Sequence, residues 1–456
     1  MADTNIAAET TDLTGFLAER AAALEWNMIP PAIAELAKDC IRDWLGVGIA
    51  GAGEPLVQIL ADALEAGKAG GSASLLGRHA KCDILTAALV NGAASHVLDF
   101  DDGNMLMIGH TSVAVLPALL ALAEQRGSSG VEILTAYVAG YETGSRLGAA
   151  VCPEHYQIGF HSTATIGIFA CAAACGRLLR LSPLAMRRAL GLAGAQSAGL
   201  KAMFGTMGKP FQVGRATQNG LLAALLAERD FTSTENIIDC RQGFADAMVP
   251  EFRPERGFAD PPDGFYLIDN VFKFHASCLN THAIIEGVGA LRQQHRIDPA
   301  AVTAIRLTVG EDCRNLCDIV DPKSSLEAKF SLHLAAAFGL AGEDTGCLST
   351  YAPKTFRTPA IDAIRRKVSL EYERGRPITT CQIGIVTAAD TFTSAYSIGG
   401  SADKAAQRKR LQSKFRSLVA PIIGEPRVMA LDSAIGRFDQ AGTAADLFGL
   451  SLTESR

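Results

Sequence analysis

Three carboxylates and a histidine stand within twelve positions of the chain, between two strongly apolar stretches. The segment DFDDGNMLMIGH contains Asp99, Asp101 and Asp102 and ends at His110. A carboxylate can accept a proton or orient a neighbouring cation, and a histidine can exchange a proton near neutral pH. A solvated acidic loop followed by a helix N-cap has the same composition. The segment is therefore a candidate wall of a reaction site whose other residues lie elsewhere in the chain.

Three further segments combine ionisable side chains with turn residues. EHYQIGFHSTATIG contains Tyr156 and His161 just before a helical pattern, whose N-terminus would favour a substrate carboxylate. KAMFGTMGKPFQVGRA places Lys209 among glycines that could let a ligand approach the backbone, and a desolvated lysine can act as a base. FKFHASCLNTH contains Lys273 and His275 where the sequence pattern changes. The alternatives are a core histidine, a surface lysine and a linker helix.

The apolar residues recur with a helical period from the N-terminus to about residue 250. This period predicts helices over PPAIAELAKDCIRDWLGVGIAGAG, DILTAALVNGAASHVLDF and TSVAVLPALLALAEQRG, among others. Thr111 or Ser112 is the predicted N-cap of the third helix, and Ser162 or Thr163 that of the helix after His161. The acidic segment is thus predicted to join two buried helices.

The pattern changes after about residue 265. AIRLTVGE, VSLEYE and TCQIGIVTA are predicted strands, LEAKFSLHLAAAFGLAG is a predicted helix, and SADKAAQRKRLQSKFRSLVAPIIG returns to helix. We predict a mainly α fold, with a large all-helical domain formed by residues 1–266 together with 400–456. A smaller α+β domain is predicted over 267–399. The Pro- and Gly-rich stretch FRPERGFADPPDGFYLIDN is the expected linker.

The composition excludes several classes of function. The 456 residues carry a net charge of −6 without a basic tract, so neither nucleic acid nor an anionic membrane is an expected partner. No apolar run reaches about 18 residues, so no membrane span is expected. The acidic start MADTNIAAETTD lacks the features of a signal peptide, and a cytoplasmic location is expected. The 11 cysteines include no CxxC motif and none of the spaced pairs has a nearby histidine, so no metal site is expected.

Five motifs in order resemble those of the MmgE/PrpD family, over about residues 10 to 450. They are DFDD…H, HY…GFHST, GTM.KP…GRA, KFHA.C..TH and LEAKFSLH. The resemblance implies a large helical domain, a smaller α+β lid domain, a homodimer, and an active site between the domains without metal or organic cofactor. Members of the family handle a proton on a carbon beside a carboxylate of a small di- or tricarboxylate. They include 2-methylcitrate dehydratase, cis-aconitate decarboxylase and iminodisuccinate epimerase.

The resemblance also suggests roles for matching residues. The predicted site consists of Lys209, Tyr156, His110, His161, Asp99, Lys273 and His275. Lys209 and Tyr156 are predicted to carry the proton on opposite faces of the reacting carbon, because an epimerase needs a group on each face. Asp99 is predicted to orient a neighbouring lysine or histidine. His110, His161 and Lys273 are predicted to hold the substrate carboxylates, and His275 is predicted to bind the substrate.

The chain departs from the decarboxylase pattern at four positions. Gly103 stands where threonine is usual, Cys278 and Gln212 stand where histidines are usual, and Leu334 stands where tyrosine is expected. We therefore do not expect cis-aconitate decarboxylation. The pattern favours an isomerase of the iminodisuccinate epimerase type, which moves a proton on the α-carbon of an amino-dicarboxylate. A 2-methylcitrate-type dehydratase is the alternative enzyme, and a helical scaffold that only binds metabolites is the non-enzymatic one.

Overall fold

The computed structural model describes residues 12–398 and 403–452. The chain divides into a helical unit, Met1–Phe272 with Leu411–Arg456, and a mixed unit, Lys273–Arg410. The predicted boundaries, at 266/267 and 399/400, fall six and eleven residues before the observed ones, at 272/273 and 410/411. The predicted domains also include residues 1–11, 399–402 and 453–456, which lie outside the described residues. The second observed boundary, between Arg410 and Leu411, falls inside the helix Lys404–Ile423.

The helical unit is built as the apolar period predicts. Pro31 opens the helix Pro31–Gly51 at its first position, where a missing N–H is harmless. The longer helices are Leu13–Ala23, Pro31–Gly51, Pro55–Ala63, Ile84–His96, Thr111–Arg126, Gly130–Val151, Gly167–Leu178, Pro183–Ala195, Gly208–Ala227, Lys404–Ile423 and Glu425–Gly436. The shorter ones are Glu154–Gln157, Ser162–Thr165, Phe244–Met248, Pro254–Phe258, Phe438–Ala441 and Ala444–Leu450, with 3-10 turns at Trp26–Met28, Lys201–Met203 and Tyr266–Asp269.

The unit is not all-helical, because it also contains a small two-stranded sheet. Strand β1, Ala73–Ser74, pairs antiparallel with β2, Lys81–Cys82. The Asn91 side chain holds this hairpin on a neighbouring helix, since it accepts the Leu76 N–H at 2.9 Å and donates to the Ser74 carbonyl at 3.0 Å. Strands of two residues are too short to show an alternating pattern in the sequence, which is why the prediction missed them.

The helices Ile84–His96 and Gly208–Ala227 pack with their backbones in contact because the residues between them are small. A Cβ at Gly214 would lie 2.4 Å from the Leu89 carbonyl oxygen, and a Cβ at Gly92 would lie 2.9 Å from Gly214 Cα. The Thr217 hydroxyl donates to the Ala88 carbonyl at 2.7 Å. The pairing runs antiparallel. It therefore directs the end of Ile84–His96 toward the start of Gly208–Ala227. The glycine at 214 serves this helix contact, and not the predicted approach of a ligand.

The predicted helix caps are each displaced by one or two residues. His110 is the N-cap of Thr111–Arg126, so Thr111 and Ser112 lie inside the first turn. The Ser112 hydroxyl instead donates to a carboxylate oxygen of Asp102 at 2.6 Å. His161 is likewise the N-cap of Ser162–Thr165, a helix of only four residues. A helix this short has little macrodipole, so the predicted attraction of an anion to its N-terminus has weak physical support.

The Pro- and Gly-rich stretch predicted as a linker packs within the helical unit. It forms a short helix, Pro254–Phe258, and a 3-10 turn, Tyr266–Asp269. The carboxylate of Glu142 accepts the backbone N–H groups of Tyr266 and Leu267 at 3.1 and 3.0 Å. Composition alone suggested a linker, but a half-buried acceptor on a neighbouring helix orders the segment.

The mixed unit contains a four-stranded sheet with strand order β4-β3-β5-β6. The strands are β3 Val302–Gly310, β4 Val368–Glu373, β5 Thr380–Thr387 and β6 Thr391–Ser397, and only the β3–β4 pair is parallel. The first three were predicted. Strand β6, at the edge, is rich in small polar residues and was missed.

The helices of the mixed unit are mostly short. They are His282–His295, Arg314–Cys317, Ser325–Ala328, Leu332–Ala341, Pro353–Phe356 and Pro359–Arg365, with 3-10 turns at Leu279–Thr281, Pro299–Ala301, Glu311–Cys313 and Leu348–Tyr351. Leu332–Ala341 confirms the predicted helix in LEAKFSLHLAAAFGLAG, although it begins later than the pattern suggested.

Within the described residues, no single helix combines the length and apolar composition needed to cross a membrane. Pro31–Gly51 and Pro55–Ala63 meet that criterion only when taken together, across a bend of 82°. The first of the two is buried along most of its length inside the helical unit.

Candidate active site in the helical unit

The acidic segment begins with a reversal of the chain at Asp99. The helix Ile84–His96 ends just before it, and Asp99 takes a left-handed backbone conformation with φ of 54°. Aspartate tolerates this conformation better than most residues. Its carboxylate then accepts a hydrogen bond from the Lys209 ammonium at 2.6 Å. The lysine lies in the first turn of Gly208–Ala227, not in a loop, and the prediction that Asp99 orients a lysine agrees with this contact.

Asp101 holds two histidines with one carboxylate oxygen. Its Oδ2 atom lies 2.9 Å from Nδ1 of His96 and 3.0 Å from Nδ1 of His110. Burial opposes ionisation of Asp101, but the attraction and hydrogen bonds of the two imidazoles outweigh it and keep its pKa well below the usual range. Asp101 is therefore an anion near neutral pH and acts only as a hydrogen-bond acceptor.

His96 is the most enclosed of the histidines in this group. Its ring centre lies 5.0 Å from that of His110 and 5.8 Å from that of His161. Burial lowers the pKa of His96 to about 4 despite the attraction of Asp101, and Lys209 adds to the lowering. His96 is thus a neutral imidazole at pH 7. Its Nε2 atom has no hydrogen-bond partner among the described residues.

The His161 ring is held by Gln212, one of the four residues that differ from the decarboxylase pattern. Its Nδ1 atom lies 2.9 Å from Oε1 of Gln212, and the amide nitrogen of Gln212 donates to the Leu200 carbonyl at 3.2 Å. Burial lowers the pKa of His161 well below its ordinary value, with further contributions from His96 and Lys209. The Phe204 ring lies between the two groups, 5.0 Å from the His161 ring and 5.1 Å from the Lys209 ammonium.

The hydrogen-bond partners fix the tautomers of these histidines. His96 and His161 face acceptor oxygens through Nδ1, and the His110 Nδ1 atom also lies 2.7 Å from the backbone carbonyl of Asp102. An acceptor requires a proton on the nitrogen that faces it, so Nδ1 carries the hydrogen in all three rings. In the neutral form Nε2 is then a lone pair. Such a nitrogen accepts protons, and it binds a carboxylate only after protonation. The predicted carboxylate-binding roles of His110 and His161 stay predictions.

A buried ion pair holds the backbone of the acidic segment in place through hydrogen bonds. Lys414, in the helix Lys404–Ile423, donates to the Asp43 carboxylate and to the Phe100 carbonyl, both at 2.6 Å. The other carboxylate oxygen of Asp43 accepts the Asp102 N–H at 3.0 Å. Burial, followed by repulsion from Asp43, raises the pKa of Asp102 to about 7. Lys414 lies more than 300 positions from the acidic segment, so no sequence pattern linked them.

Tyr156 makes its described contacts with a different lysine. The Lys201 ammonium lies 3.8 Å from the centre of the Tyr156 ring and donates to the Tyr156 carbonyl at 3.2 Å. The Lys201 N–H also bonds to the Gly159 carbonyl at 2.8 Å, which ties the segment after Tyr156 to the turn before Lys209. The pairing of Tyr156 with Lys209 as two proton carriers stays a prediction.

Lys273 and His275 belong to the mixed unit, where both are buried. The two ring nitrogens of His275 already have protein partners. Nδ1 lies 2.6 Å from the Thr345 hydroxyl, and Nε2 lies 3.2 Å from the Glu286 carboxylate. Glu286 also accepts hydrogen bonds from Tyr396 and Arg410. His275 is thus saturated with hydrogen bonds, and the predicted roles of Lys273 and His275 in binding substrate stay predictions.

Sequence reasoning missed His96 and Lys414 and gave no role to Asp101. A signal for His96 was present, because it stands at the end of a predicted helix just before DFDD. At two of the four positions that differ from the decarboxylase pattern, the side chain is buried in the mixed unit. These two residues are Cys278 and Leu334. At Gly103, a Cβ would meet atoms no closer than 3.8 Å, so packing does not require glycine.

Among residues 12–398 and 403–452, one group has the spacing to hold a metal ion. The ligand atoms of His96, Asp101 and His110 lie within 4.8 Å of one another. A cation held by the Asp101 oxygen and the two Nδ1 atoms would have to displace both protons that these nitrogens donate to Asp101, whereas the Nε2 lone pairs would be left open to one. The nearby Lys209 ammonium adds repulsion. The hydrogen-bonded arrangement fits a carboxylate that orients two imidazoles.

Comparison with known proteins agrees with the order of the motifs. A family model described as the MmgE/PrpD N-terminal domain matches residues 16–257, and one for the C-terminal domain matches residues 275–435. Cis-aconitate decarboxylase from Aspergillus terreus is 26% identical over 96% of this chain and 95% of its own length. The Mus musculus protein of that name is 27% identical over 91% and 88%, and the Homo sapiens protein is 28% identical over 76% and 74%.

Proposed function

Because the chain belongs to the MmgE/PrpD family, we propose that it is an enzyme that moves a proton on a carbon beside a carboxylate of a small di- or tricarboxylate. The observation that carries the proposal is the Lys209–Asp99 pair, 2.6 Å apart, beside the neutral imidazoles of His96 and His161. An ammonium can anchor a carboxylate or deliver a proton, and an imidazole lone pair can take one up. Both halves of a proton transfer are then available in one unit.

The reaction we propose first is epimerisation of an amino-dicarboxylate. Imidazole lone pairs suit a substrate that carries N–H donors next to its carboxylate. Lys209 and Tyr156 would serve the two faces of the α-carbon. In the direction that starts from the Lys209 ammonium, Tyr156 takes the α-proton as a phenolate and becomes a phenol, and the ammonium stabilises the resulting enolate-like anion through its carboxylate. Lys209 then delivers its proton to the opposite face, which inverts the centre and leaves a neutral amine. Proton exchange with solvent returns Lys209 and Tyr156 to their starting forms.

Decarboxylation of a cis-aconitate-like tricarboxylate is the second candidate, and the names of the relatives favour it. An identity of 26 to 27% leaves the reaction open. Such a substrate is a trianion without a hydrogen-bond donor at pH 7. The imidazoles would therefore have to gain protons before they could hold it. Binding would then take up protons from solution, which epimerisation of an amino acid does not require.

We also propose that the enzyme is a homodimer and uses no metal or organic cofactor, as its family resemblance implies. Light scattering of the purified protein tests the first point. Activity that survives dialysis against a strong chelator supports the second. A monomer, or activity restored only by an added metal, contradicts the respective point.

Proton NMR in D2O tests the reaction directly. The protein is incubated with a single isomer of iminodisuccinate, with cis-aconitate and with 2-methylcitrate. We expect deuterium at the α-carbon of the amino-dicarboxylate together with inversion of configuration. Release of CO2 from cis-aconitate identifies a decarboxylase, and loss of water from 2-methylcitrate identifies a dehydratase. Unchanged spectra for all three, with folded protein, contradict the proposal.

Two lysine variants complete this experiment. Lys209→Met removes the ammonium and should abolish deuterium uptake. Lys68→Met is the matched control, because Lys68 is 72% exposed and pairs only with the neighbouring Glu65. Both proteins should show the same helical circular dichroism.

A further inference from the structure

We infer that Asp101 is a positioning residue which, with the Asp102 backbone carbonyl, fixes His96 and His110 as lone-pair acceptors for a ligand with a hydroxyl or amino group. The inference rests on the proposed function, since it names the class of substrate for the same site. A carbon beside a carboxylate that carries –OH or –NH is the feature such acceptors would recognise.

The first step is the geometry of one shared oxygen. Asp101 Oδ2 lies 2.9 Å from His96 Nδ1 and 3.0 Å from His110 Nδ1. The second contact of the His110 nitrogen is a backbone carbonyl, which accepts only. Each nitrogen must therefore carry a hydrogen, whatever the protonation state of the ring. A carboxylate that holds imidazoles in one tautomer sets which nitrogen is left for chemistry.

The second step is a count of unsatisfied side-chain atoms on Asp101, on its partner His96 and on the adjacent residue Asp102. Within the part of the chain that the structure describes, His96 Nε2, Asp101 Oδ1 and Asp102 Oδ1 are buried without a hydrogen-bond partner. His96 Nε2 and Asp101 Oδ1 are hydrogen-bond acceptors at neutral pH. Asp102 is ionised in only part of the molecules at that pH, so its Oδ1 atom is an acceptor in that part. Leaving a buried polar group unpaired is costly, so buried groups are nearly always paired. The group that completes this cluster must therefore bring hydrogen-bond donors or positive charge.

The third step is the choice among such groups. A metal ion at Nδ1 would displace both protons, and one at the Nε2 lone pairs would be repelled by the Lys209 ammonium, whose charge already lowers the pKa of His96. A hydroxyl or amino group of a substrate brings donors without either cost. The Lys209 ammonium, paired with Asp99 at 2.6 Å, would receive the neighbouring carboxylate. The cluster then matches a hydroxy- or amino-carboxylate better than an unsaturated acid that lacks donors.

Long-range proton–nitrogen NMR of 15N-labelled histidines tests the tautomers without any turnover. We expect wild-type His96 and His110 to carry hydrogen on Nδ1. In Asp101→Leu, His96 loses its acceptor and should shift toward the Nε2–H form, whereas His110 keeps its carbonyl partner. Asp101→Asn retains an acceptor oxygen and should restore the wild-type signal of His96. Asp102→Asn is the matched control and should change neither ring, because only the Asp102 backbone contacts His110.

The result that overturns the inference can be read from the wild-type spectrum alone, even if a variant fails to fold. Hydrogen on Nε2 of His96 or of His110 at neutral pH is that result. A shift of the Nε2 resonances of both rings, or loss of both Nδ1–H signals, when micromolar zinc is added would show a metal site and would also overturn it. If the tautomers are as inferred but no polycarboxylate reacts, the proposed function fails while the positioning role stands.

Calorimetry with matched ligands tests the substrate class. L-malate and L-aspartate carry a donor beside a carboxylate, and succinate has the same length without one. We expect the first two to bind about tenfold more tightly than succinate or better, because a site built for a donor rejects an analogue that lacks it. Asp101→Leu should reduce the difference in affinity between the two donor-bearing ligands and succinate. For the substrate that reacts, it should lower kcat more than it changes KM. Equal binding of succinate and malate, or binding of neither, overturns the assignment of this class.

Discussion

The two units of the chain each contain a histidine–carboxylate cluster, but only one of them leaves acceptors without partners. In the mixed unit, both nitrogens of His275 have partners, and Glu286 accepts hydrogen bonds from three side chains. In the helical unit, His96 Nε2 and two carboxylate oxygens have none within the described residues. The residue types are alike. The difference lies in how completely each hydrogen-bond network is closed.

That difference separates a structural network from a candidate reaction site. A closed network gains stability from every member and has nothing left to offer a ligand. An open one stores a cost that a substrate can relieve on binding, and functional sites are where such costs are tolerated. His275 was predicted to bind substrate on the strength of its motif, and its saturated nitrogens give that role no geometric support. His96 had no predicted role, yet it stands inside the open network.

The largest expected effect is loss of activity when the open cluster loses its ammonium. We expect Lys209→Met to lower kcat on the order of a thousandfold, within the range for a positioned acid or base. The measurement is turnover of whichever substrate reacts in D2O, with Lys68→Met as control. Near-normal turnover of Lys209→Met would mean that the chemistry takes place elsewhere.

The next effect concerns stability and the support behind the open cluster. Lys414→Met leaves the Asp43 carboxylate buried without its ion-pair partner, which should cost about 3–5 kcal/mol of unfolding free energy. Urea unfolding followed by tryptophan fluorescence measures this, because Trp26 and Trp44 both lie in the helical unit. Adding Asp43→Asn to that variant should recover part of the loss. A loss below about 1 kcal/mol would show that water reaches the pair.

The two clusters should also respond to acid in different pH ranges. The folded-state pKa of His96, about 4, lies below its ordinary 6.5, so the unfolded chain binds the proton first. The His96 contribution to stability is then lost as pH falls from about 6.5 toward 4. Asp102, whose pKa is raised from 3.8 to about 7, contributes in the opposite sense as pH falls from about 7 toward 3.8. The pKa of Glu286 is also lowered, since its hydrogen bonds with His275 and Arg410 outweigh the opposing effect of burial. Its contribution is present above its ordinary 4.5 and is lost below it.

Unfolding by urea across this pH range checks the difference. His96→Gln should flatten the upper part of the curve, with a residual slope from His161, whose pKa is lowered as well. Glu286→Gln should flatten the lower part and remove about 2 kcal/mol at neutral pH, the contribution of hydrogen bonds to a charged group. Identical pH profiles for the two variants would refute the separation of the clusters.

The smallest effect is expected at a departure from the decarboxylase pattern. Gly103→Ala should change the unfolding free energy by less than about 1 kcal/mol, because the nearest atoms to an added Cβ are 3.8 and 3.9 Å away. Thermal unfolding measures this, with Gly214→Ala as the contrasting variant that cannot fit against the Leu89 carbonyl. A large loss in Gly103→Ala would assign the glycine to packing. Cis-aconitate turnover gained by Gly103→Thr would assign the position to specificity.

Much of the fold was accessible from local patterns. The apolar period located helices such as Pro31–Gly51 and Thr111–Arg126, because each buries the faces that the pattern marks. Alternation located β3, β4 and β5. Cap positions and the edge strand β6 were wrong or missed, since neighbours outside the local window decide them. The Pro- and Gly-rich stretch was misread as a linker because its order comes from Glu142 on another helix.

The candidate site was accessible in part. The types and order of Asp99, His110, His161 and Lys209 were enough to predict proton chemistry beside a carboxylate. Their partners were not, because hydrogen bonds join residues far apart in the chain, such as His161 to Gln212 and Asp43 to Lys414. Tyr156 illustrates the limit, since its contact with Lys201 was not predicted from the sequence.

The sequence by itself determined which ionisable groups the chain has, that buried helices flank them, and the family to which the chain belongs. Tertiary structure decided which of those groups are neutral and which ring nitrogens carry hydrogen. The physical reason is that the protonation state of a side chain depends on its burial and on the charged or hydrogen-bonding group that faces it. Both are set where the helices Ile84–His96 and Gly208–Ala227 meet through small residues, and local sequence does not record which neighbour a side chain will face.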